Sequence, residues 1–294
     1  AGPGLVVASA LTAVWVIYCR FQTDVIQTDW TDSDRKWAMG ILFGAIVSAT
    51  DPVAVVSVLK TVGAPKYLSI TIEGESLLND GVAVVAFNVL FDAVRFGTST
   101  AGGPVTSIFL QIAAGGAVWG LFMALVVTSW ISLAYDQPIV EITATVMAAY
   151  MTFFIGEEYL GVSGVLSVVV LGVYFSAVGS YSITPAVLHE LHGVWQWLGF
   201  LANTLVFGIT GVLITRPTIT ALNLETTEHF VILIFNCLCL NVALLFIRAF
   251  VFLLAYPCLR YSGSHGYKMD WRDCFISTWG ALRGAVGLAL AMVV

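Results

Sequence analysis

Asp80 and its neighbours Glu75 and Asn79 carry the most promising chemistry in this chain, because they interrupt a long apolar segment, Tyr67 to Phe91. As a helix that segment is about 36 Å long, and Asp80 falls about 20 Å along it, near the midplane of a ~30 Å hydrocarbon layer. An ionisable side chain at that depth is expensive and points to function by default. Asp51, Arg248 and Arg283 recur at similar depth in other apolar stretches, so opposite charges are available inside the protein. Glu75 and Asn79, four apart, share a helix face, whereas Asp80 points about 140° away from Glu75. The two carboxylates therefore need not share one job. Glu75 is expected to pair with Arg248, since either charge left alone in lipid is costly. Asp80 then remains as the carboxylate without a cationic partner. Loss of water disfavours its ionised form while a bound Na⁺ favours that same form, so proton and cation compete for one site. If the site crosses when loaded and not when empty and charged, this competition is sufficient for one-for-one, electroneutral exchange. The alternative is a structural aspartate, kept protonated by hydrogen bonds.

The elements that must position these groups are themselves interrupted. The second apolar segment is broken by Thr50-Asp51-Pro52, and the ninth by Gly280, Gly284 and Gly287 around Arg283. A residue before proline is pushed out of the helical region, and proline is well tolerated as the first helical residue. Asp51 is therefore expected to N-cap a half-helix beginning at Pro52, its carboxylate meeting free N–H groups and the positive dipole end. Arg283, beside glycines that let two backbones approach, would compensate free carbonyls at the opposing break. Paired broken helices point to a transporter, the alternative being two ordinary kinks.

Composition sets the surroundings. Of the 294 residues 59% are hydrophobic and 10% charged, against about 25% charged in an ordinary soluble domain. The chain is an all-α polytopic membrane protein with nine expected spans, at 3–21, 36–60, 67–91, 105–134, 138–156, 160–179, 193–215, 229–258 and 272–294. No linker divides it, so residues 1–294 form one expected membrane domain, and both ends lack the features of a complete chain. Lys and Arg divide evenly between the two sides. Asp24, Asp29, Asp32, Asp34, Asp92, Glu157, Glu158, Glu225 and Glu228 all fall on one side, which is placed outside.

Other reactive residue types fit blander roles. Cys19, Cys237, Cys239, Cys258 and Cys274 show neither C-x-x-C nor zinc spacing and are expected as packing thiols. His189, His192, His229 and His265 fall in loops or at span ends, and His189-Glu190-Leu191-His192 does not match H-E-x-x-H. Trp15, Trp195 and Trp197 suit an interfacial belt. Glu73 is expected to snorkel or line a vestibule, and Glu141, Glu157 and Glu158 to be interfacial or to form an acidic funnel.

Ser48-Ala49-Thr50-Asp51-Pro52-Val53-Ala54-Val55, followed by Glu73-Gly74-Glu75-Ser76-Leu77-Leu78-Asn79-Asp80-Gly81, resembles the monovalent cation/proton antiporters of the sodium/proton exchanger type. The likeness continues through Val162 to Leu166, Ala202 to Phe207 and Trp279 to Val286, in order along essentially the whole chain. It is strongest toward plant plasma-membrane exchangers of the salt-overly-sensitive type and their algal or protist relatives. The resemblance implies thirteen spans in two inverted repeats with two crossing broken helices, of which this chain would hold spans four to twelve. It also implies a homodimer whose mobile core moves against a dimerisation domain, and an Asn79-Asp80 ion site for Na⁺ beside a Glu75–Arg248 pair. Thr50 and Asp51 would complete the ion and proton site, with Pro52, Gly280 and Gly284 at the breaks. Li⁺ or K⁺ are further expected cargoes. No cofactor and no nucleic-acid partner are expected, and the plasma membrane is the expected location. Two rivals are an intramembrane aspartyl protease using Asp51 and Asp80, and a transport-dead sensor with the same fold. The contexts Thr50-Asp51-Pro52 and Asn79-Asp80-Gly81 do not resemble the protease signatures.

Overall fold

A computed structural model describes residues 2–18, 33–96, 105–134, 136–224, 227–261, 270–280 and 283–293. The expectations for Cys19, Asp24, Asp29, Asp32, Glu225 and His265 lie outside the described residues. Eleven α-helices follow in order among the described residues: α1 (Gly2–Tyr18), α2 (Ser33–Ser48), α3 (Val53–Val62), α4 (Lys66–Phe96), α5 (Val105–Leu133), α6 (Pro138–Phe154), α7 (Gly164–Ala177), α8 (Pro185–Leu224), α9 (Thr227–Tyr261), α10 (Trp271–Trp279) and α11 (Ala285–Val293). They fall on the nine expected spans, the second being divided into α2 and α3 and the ninth into α10 and α11. Among the described residues, five stretches are long and apolar enough to cross a membrane, Lys66–Asp92, Ser107–Leu133, Pro138–Tyr159, Pro185–Thr215 and Ile234–Pro257, and Gly2–Tyr18, Trp37–Ser48 and Gly164–Ala177 are shorter apolar helices.

The helices pack as two compact units, one of residues 1–100 and 206–294, the other of residues 101–205. In the first unit, α4 turns one continuous stripe inward, because Leu68, Ile72, Ser76, Asn79, Ala83 and Phe87 repeat every three or four residues and all are buried. Leu5, Ala49 and Ala83 join α1, the break after α2, and α4 in one apolar cluster. Close approach of α1 and α2 depends on Gly44, where a Cβ would stand 2.5 Å from the Ser9 carbonyl oxygen. The two broken segments meet in crossed order. Leu42 on α2 packs with Leu290 on α11, while Val56 on α3 packs with Ile276 on α10. Each half-helix before one break thus meets the half-helix after the other.

The second unit is centred on Ala124, Val127, Ile131, Ala148, Leu171, Ile183, Val187 and Leu191. Here the structure corrects the reading of Glu141 as interfacial, since the residue is only 1% exposed. Its carboxylate accepts from the Thr184 N–H at 2.9 Å and the Thr184 hydroxyl at 2.7 Å, tying the first turn of α6 to the start of α8. A buried carboxylate held by two donors satisfies groups that a helix start otherwise leaves open. A π-helical turn, Ile155–Tyr159, ends α6. Glu157 accepts from the Gly164 N–H at 3.0 Å, and the Ser163 hydroxyl accepts from the Leu166 N–H, so the Val162 to Leu166 motif works locally as the N-cap of α7.

A candidate ion site at two broken helices

Pro52 determines the local chemistry of the first break. In an unbroken helix the carbonyl of Ser48 would accept from the N–H of residue 52, which proline lacks. Asn79 supplies the missing donor: its side-chain Nδ2 donates to the Ser48 carbonyl at 2.8 Å, and the residue is 6% exposed. The amide of the Asn-Asp pair is thereby committed to holding the end of α2 in place. The Ser48 hydroxyl turns back to the Gly44 carbonyl at 2.6 Å.

Helix α3 starts one residue later than expected. Pro52 occupies the N-cap position with no side-chain cap, and its carbonyl accepts from the Val56 N–H at 2.8 Å. Asp51 is therefore not the N-cap; it lies one residue earlier, half-buried, in an isolated β-bridge. A bridge needs extended backbone, which the residue before proline favours. Gly284 lies against Asp51 so closely that an added Cβ would overlap the Asp51 Cβ. A Cβ on Gly280 would stand 2.9 Å from Val55, and one on Gly287 would stand 3.0 Å from the Ile46 carbonyl oxygen. The glycines of the second break thus lie against the first segment, Gly284 on the Asp51 side chain, Gly280 on the Val55 side chain and Gly287 on the Ile46 carbonyl.

Arg248 joins these parts. Its Nη2 lies 3.1 and 3.0 Å from the two carboxylate oxygens of Glu75. Nη1 donates to the Thr50 hydroxyl at 3.4 Å, and Nε donates to the Ser277 carbonyl at 3.3 Å. Ser277 sits in the last turn of α10, where helix carbonyls lose their intrahelical donors. Asn79 thus caps the end of α2, and Arg248 caps the end of α10. The Phe252 ring lies 5.3 Å below the guanidinium. Thr50 is 3% exposed and shares a hydrogen bond with Ser76 at 3.3 Å. Ser76 was not singled out from the sequence, although its place one turn before Asp80 was a usable signal.

Asp80 faces the other way from Glu75, as its helical phase requires. It accepts from the Thr50 main-chain N–H and lies near Asp51. Its Oδ1 is buried and has no hydrogen-bond partner. Glu73 is displaced from this group and forms an exposed ion pair with Lys60 at 2.9 Å. Arg283 is exposed and lies within the second break, between α10 and α11. A cavity of about 580 Å³ reaches Ser48, Thr50, Glu75, Asn79, Arg248, Ser277 and Arg283 but is not lined by Asp80. Among the described residues no group of three or more His, Cys, Asp or Glu could hold a metal ion.

Residues 3–294 match the transmembrane family of sodium/hydrogen exchangers. Sodium/hydrogen exchanger 8 of Arabidopsis thaliana is 36% identical over 261 residues, 88% of this chain and 33% of its own length. The Na(+)/H(+) antiporter NhaG of Bacillus atrophaeus is 32% identical over 257 residues, 85% of this chain and 45% of its own. The chain therefore spans less than half the length of these relatives. The sodium proton antiporter MjNhaP1 of Methanocaldococcus jannaschii, solved at pH 8, shares the fold with a TM-score of 0.71 at 22% identity, covering 98% of this chain and 63% of that one. These relatives are transporters, and neither the protease nor the sensor reading finds support among them. With the family's match running from residue 3 to residue 294, and with its broken helices crossing at Asp51 and Gly284, the chain belongs to the sodium/hydrogen exchangers.

Proposed function

We propose that the chain is the membrane part of a secondary transporter that exchanges Na⁺ for H⁺, with Asp80 as the shared site. The observation that carries this reading is the buried Asp80 Oδ1 without a partner. A carboxylate oxygen removed from water is costly unless a proton neutralises it or a cation binds it. Both solutions are available to one side chain, and they exclude each other. Ser76, one turn before Asp80 on α4, and Thr50, whose main-chain N–H reaches Asp80, offer neutral hydroxyls suited to a hard monovalent cation stripped of part of its water. Glu75 has its charge matched by Arg248, which leaves a single exchanging carboxylate and a one-for-one, electroneutral cycle.

The rest of the assembly keeps that carboxylate in place. Asn79 and Arg248 hold the two helix ends that the breaks expose, so the backbone can stay unwound without orphaned carbonyls. In this reading residues 1–100 and 206–294 form the body that carries the ion, residues 101–205 form the dimerising body, and the working protein is a homodimer. Li⁺ and K⁺ are the further cargoes to compare with Na⁺. The proposed cycle needs no cofactor, and the proposed location is the plasma membrane, where outward Na⁺ movement would serve pH regulation and salt tolerance. Reconstitution in proteoliposomes with an imposed pH gradient tests the reading. Na⁺ should dissipate the gradient equally with and without a clamped membrane potential, and Asp80→Asn should abolish the response in a folded protein. Persistent pH-coupled Na⁺ flux in Asp80→Asn would overturn it.

A further inference from the structure

Arg248 makes a contact that its ion pair with Glu75 does not require. Nη2 alone meets both Glu75 carboxylate oxygens, which leaves Nη1 for the Thr50 hydroxyl and Nε for the Ser277 carbonyl. A guanidinium only donates, so the Thr50 oxygen accepts from Arg248 and its own O–H must find another acceptor. Helix hydroxyls in this chain turn back on the carbonyl four residues earlier, as Thr12 does to Ala8 and Ser48 to Gly44. Thr50 stands in the break, beyond the end of α2 at Ser48, and its other side-chain partner among the described residues is the Ser76 hydroxyl at 3.3 Å. Taken alone, that contact fits either direction. Beside the guanidinium it runs from Thr50 to Ser76, because the reverse order would leave a hydroxyl hydrogen without an acceptor in a residue only 3% exposed. Each hydroxyl oxygen then keeps one lone pair. Ser76 lies one turn before Asp80 on the same helix, and the Thr50 main-chain N–H reaches the Asp80 carboxylate. The row Glu75, Arg248, Thr50, Ser76 therefore ends beside the bare Asp80 Oδ1. Without the guanidinium the two hydroxyls could turn their hydrogens, the positive ends of their dipoles, toward a cation. Glu75 matches the guanidinium charge, so the order is imposed with no net positive charge beside the site.

We propose that Arg248 is a positioning residue of the cation site, acting through Thr50 to hold the Thr50 and Ser76 oxygens with their lone pairs toward the cation at Asp80. The inference rests on Asp80 as the exchanging carboxylate and adds how its neutral ligands are held. Calorimetric Na⁺ binding to the purified whole chain, at a pH high enough that protons do not compete, tests it in a double-variant cycle. Thr50→Val removes the hydroxyl at nearly constant shape. Arg248→Lys keeps a charge opposite Glu75, but one ammonium cannot serve Glu75, Thr50 and Ser277 together. Each change alone should weaken Na⁺ about five- to tenfold, roughly the value of one hydrogen bond. Thr50→Ser, which restores the hydroxyl, should recover most of the affinity lost in Thr50→Val. In the Thr50→Val background, Arg248→Lys should change Na⁺ affinity by less than about twofold, because the connection is already cut. Equal weakening by Arg248→Lys in both backgrounds, or no recovery in Thr50→Ser, would overturn the proposal and leave Arg248 as a structural cap alone. If Arg248→Lys does not fold, NMR of the unaltered Arg248 side chain in isotope-labelled protein decides. Its guanidinium signal should move when Na⁺ binds and stay still in Thr50→Val, and a signal that does not move in the unaltered chain would overturn the proposal. Na⁺ binding retained in Asp80→Asn is a separate result, which removes the reading of Asp80 itself, whereas an additive cycle removes only the role of Arg248.

Discussion

Breaking the Glu75–Arg248 pair should destabilise the protein unequally, depending on which partner is removed. The pair is enclosed, with side-chain exposures of 14% for Arg248 and 24% for Glu75, and isolating one charge of such a pair costs about 3–5 kcal/mol. Arg248 keeps other partners when Glu75 is changed: the Thr50 hydroxyl, the Ser277 carbonyl and the face of Phe252. Glu75→Gln also retains an acceptor oxygen. Its cost should sit near the lower bound, about 3 kcal/mol, or a melting-temperature fall of about 6–12 °C at the ~2–4 °C per kcal/mol typical of chains this size. Arg248→Leu removes Glu75's guanidinium partner and uncaps the Ser277 carbonyl, so its loss should approach or exceed about 5 kcal/mol. The exchange Glu75→Arg with Arg248→Glu should recover only part of the loss, because the reversed pair cannot reproduce the bonds to Thr50 and Ser277. Thermal unfolding of the detergent-purified variants measures all three. An unchanged melting temperature in Glu75→Gln, or a double variant worse than the two singles combined, would refute the reasoning.

Other perturbations separate the breaks from the scaffold. Gly284→Ala should abolish exchange and lower stability, since the new methyl would overlap Asp51, whereas Gly74→Ala, with nothing within 4 Å of the added carbon, should be tolerated; transport and melting assays compare them directly. Asn79→Leu should leave the Ser48 carbonyl without its donor at a cost of about 1–3 kcal/mol, visible as a lower melting temperature and faster amide exchange at the end of α2. Glu141→Leu should destabilise the second unit by leaving both Thr184 groups unmet, about 1–3 kcal/mol for each. It should leave the competition between H⁺ and Na⁺ unchanged, measured as the pH dependence of apparent Na⁺ affinity.

Much of the site was legible in the sequence because its logic is local. Pro52 announces a break through its own geometry, helical phase alone separates Glu75 from Asp80, and an acidic and a basic residue buried at similar depth call for each other. The start of α3 was misplaced by one residue because proline can itself stand at the N-cap, which leaves Asp51 extended. Glu141 was misread because its partner, Thr184, lies 43 residues away. A signal existed in Pro138, a first-helical-residue proline, with an acidic side chain in the same first turn, where a carboxylate meets the free N–H groups of a helix start. The caps on Ser48 and Ser277 were missed for a different reason. A carbonyl has no identity in a sequence, so the need for Asn79 and Arg248 as donors appears only when the absent N–H at Pro52 and the end of α10 are followed through the backbone.

In the proposed cycle one buried carboxylate takes either a proton or a sodium ion. The most direct measurement is Na⁺ binding to the purified protein by calorimetry across pH, in parallel with Asp80→Asn. Apparent Na⁺ affinity should fall about tenfold per pH unit once the site is protonated, with about one proton released per Na⁺ bound, and Asp80→Asn should bind no Na⁺. Na⁺ affinity independent of pH, or retained by Asp80→Asn, would contradict it.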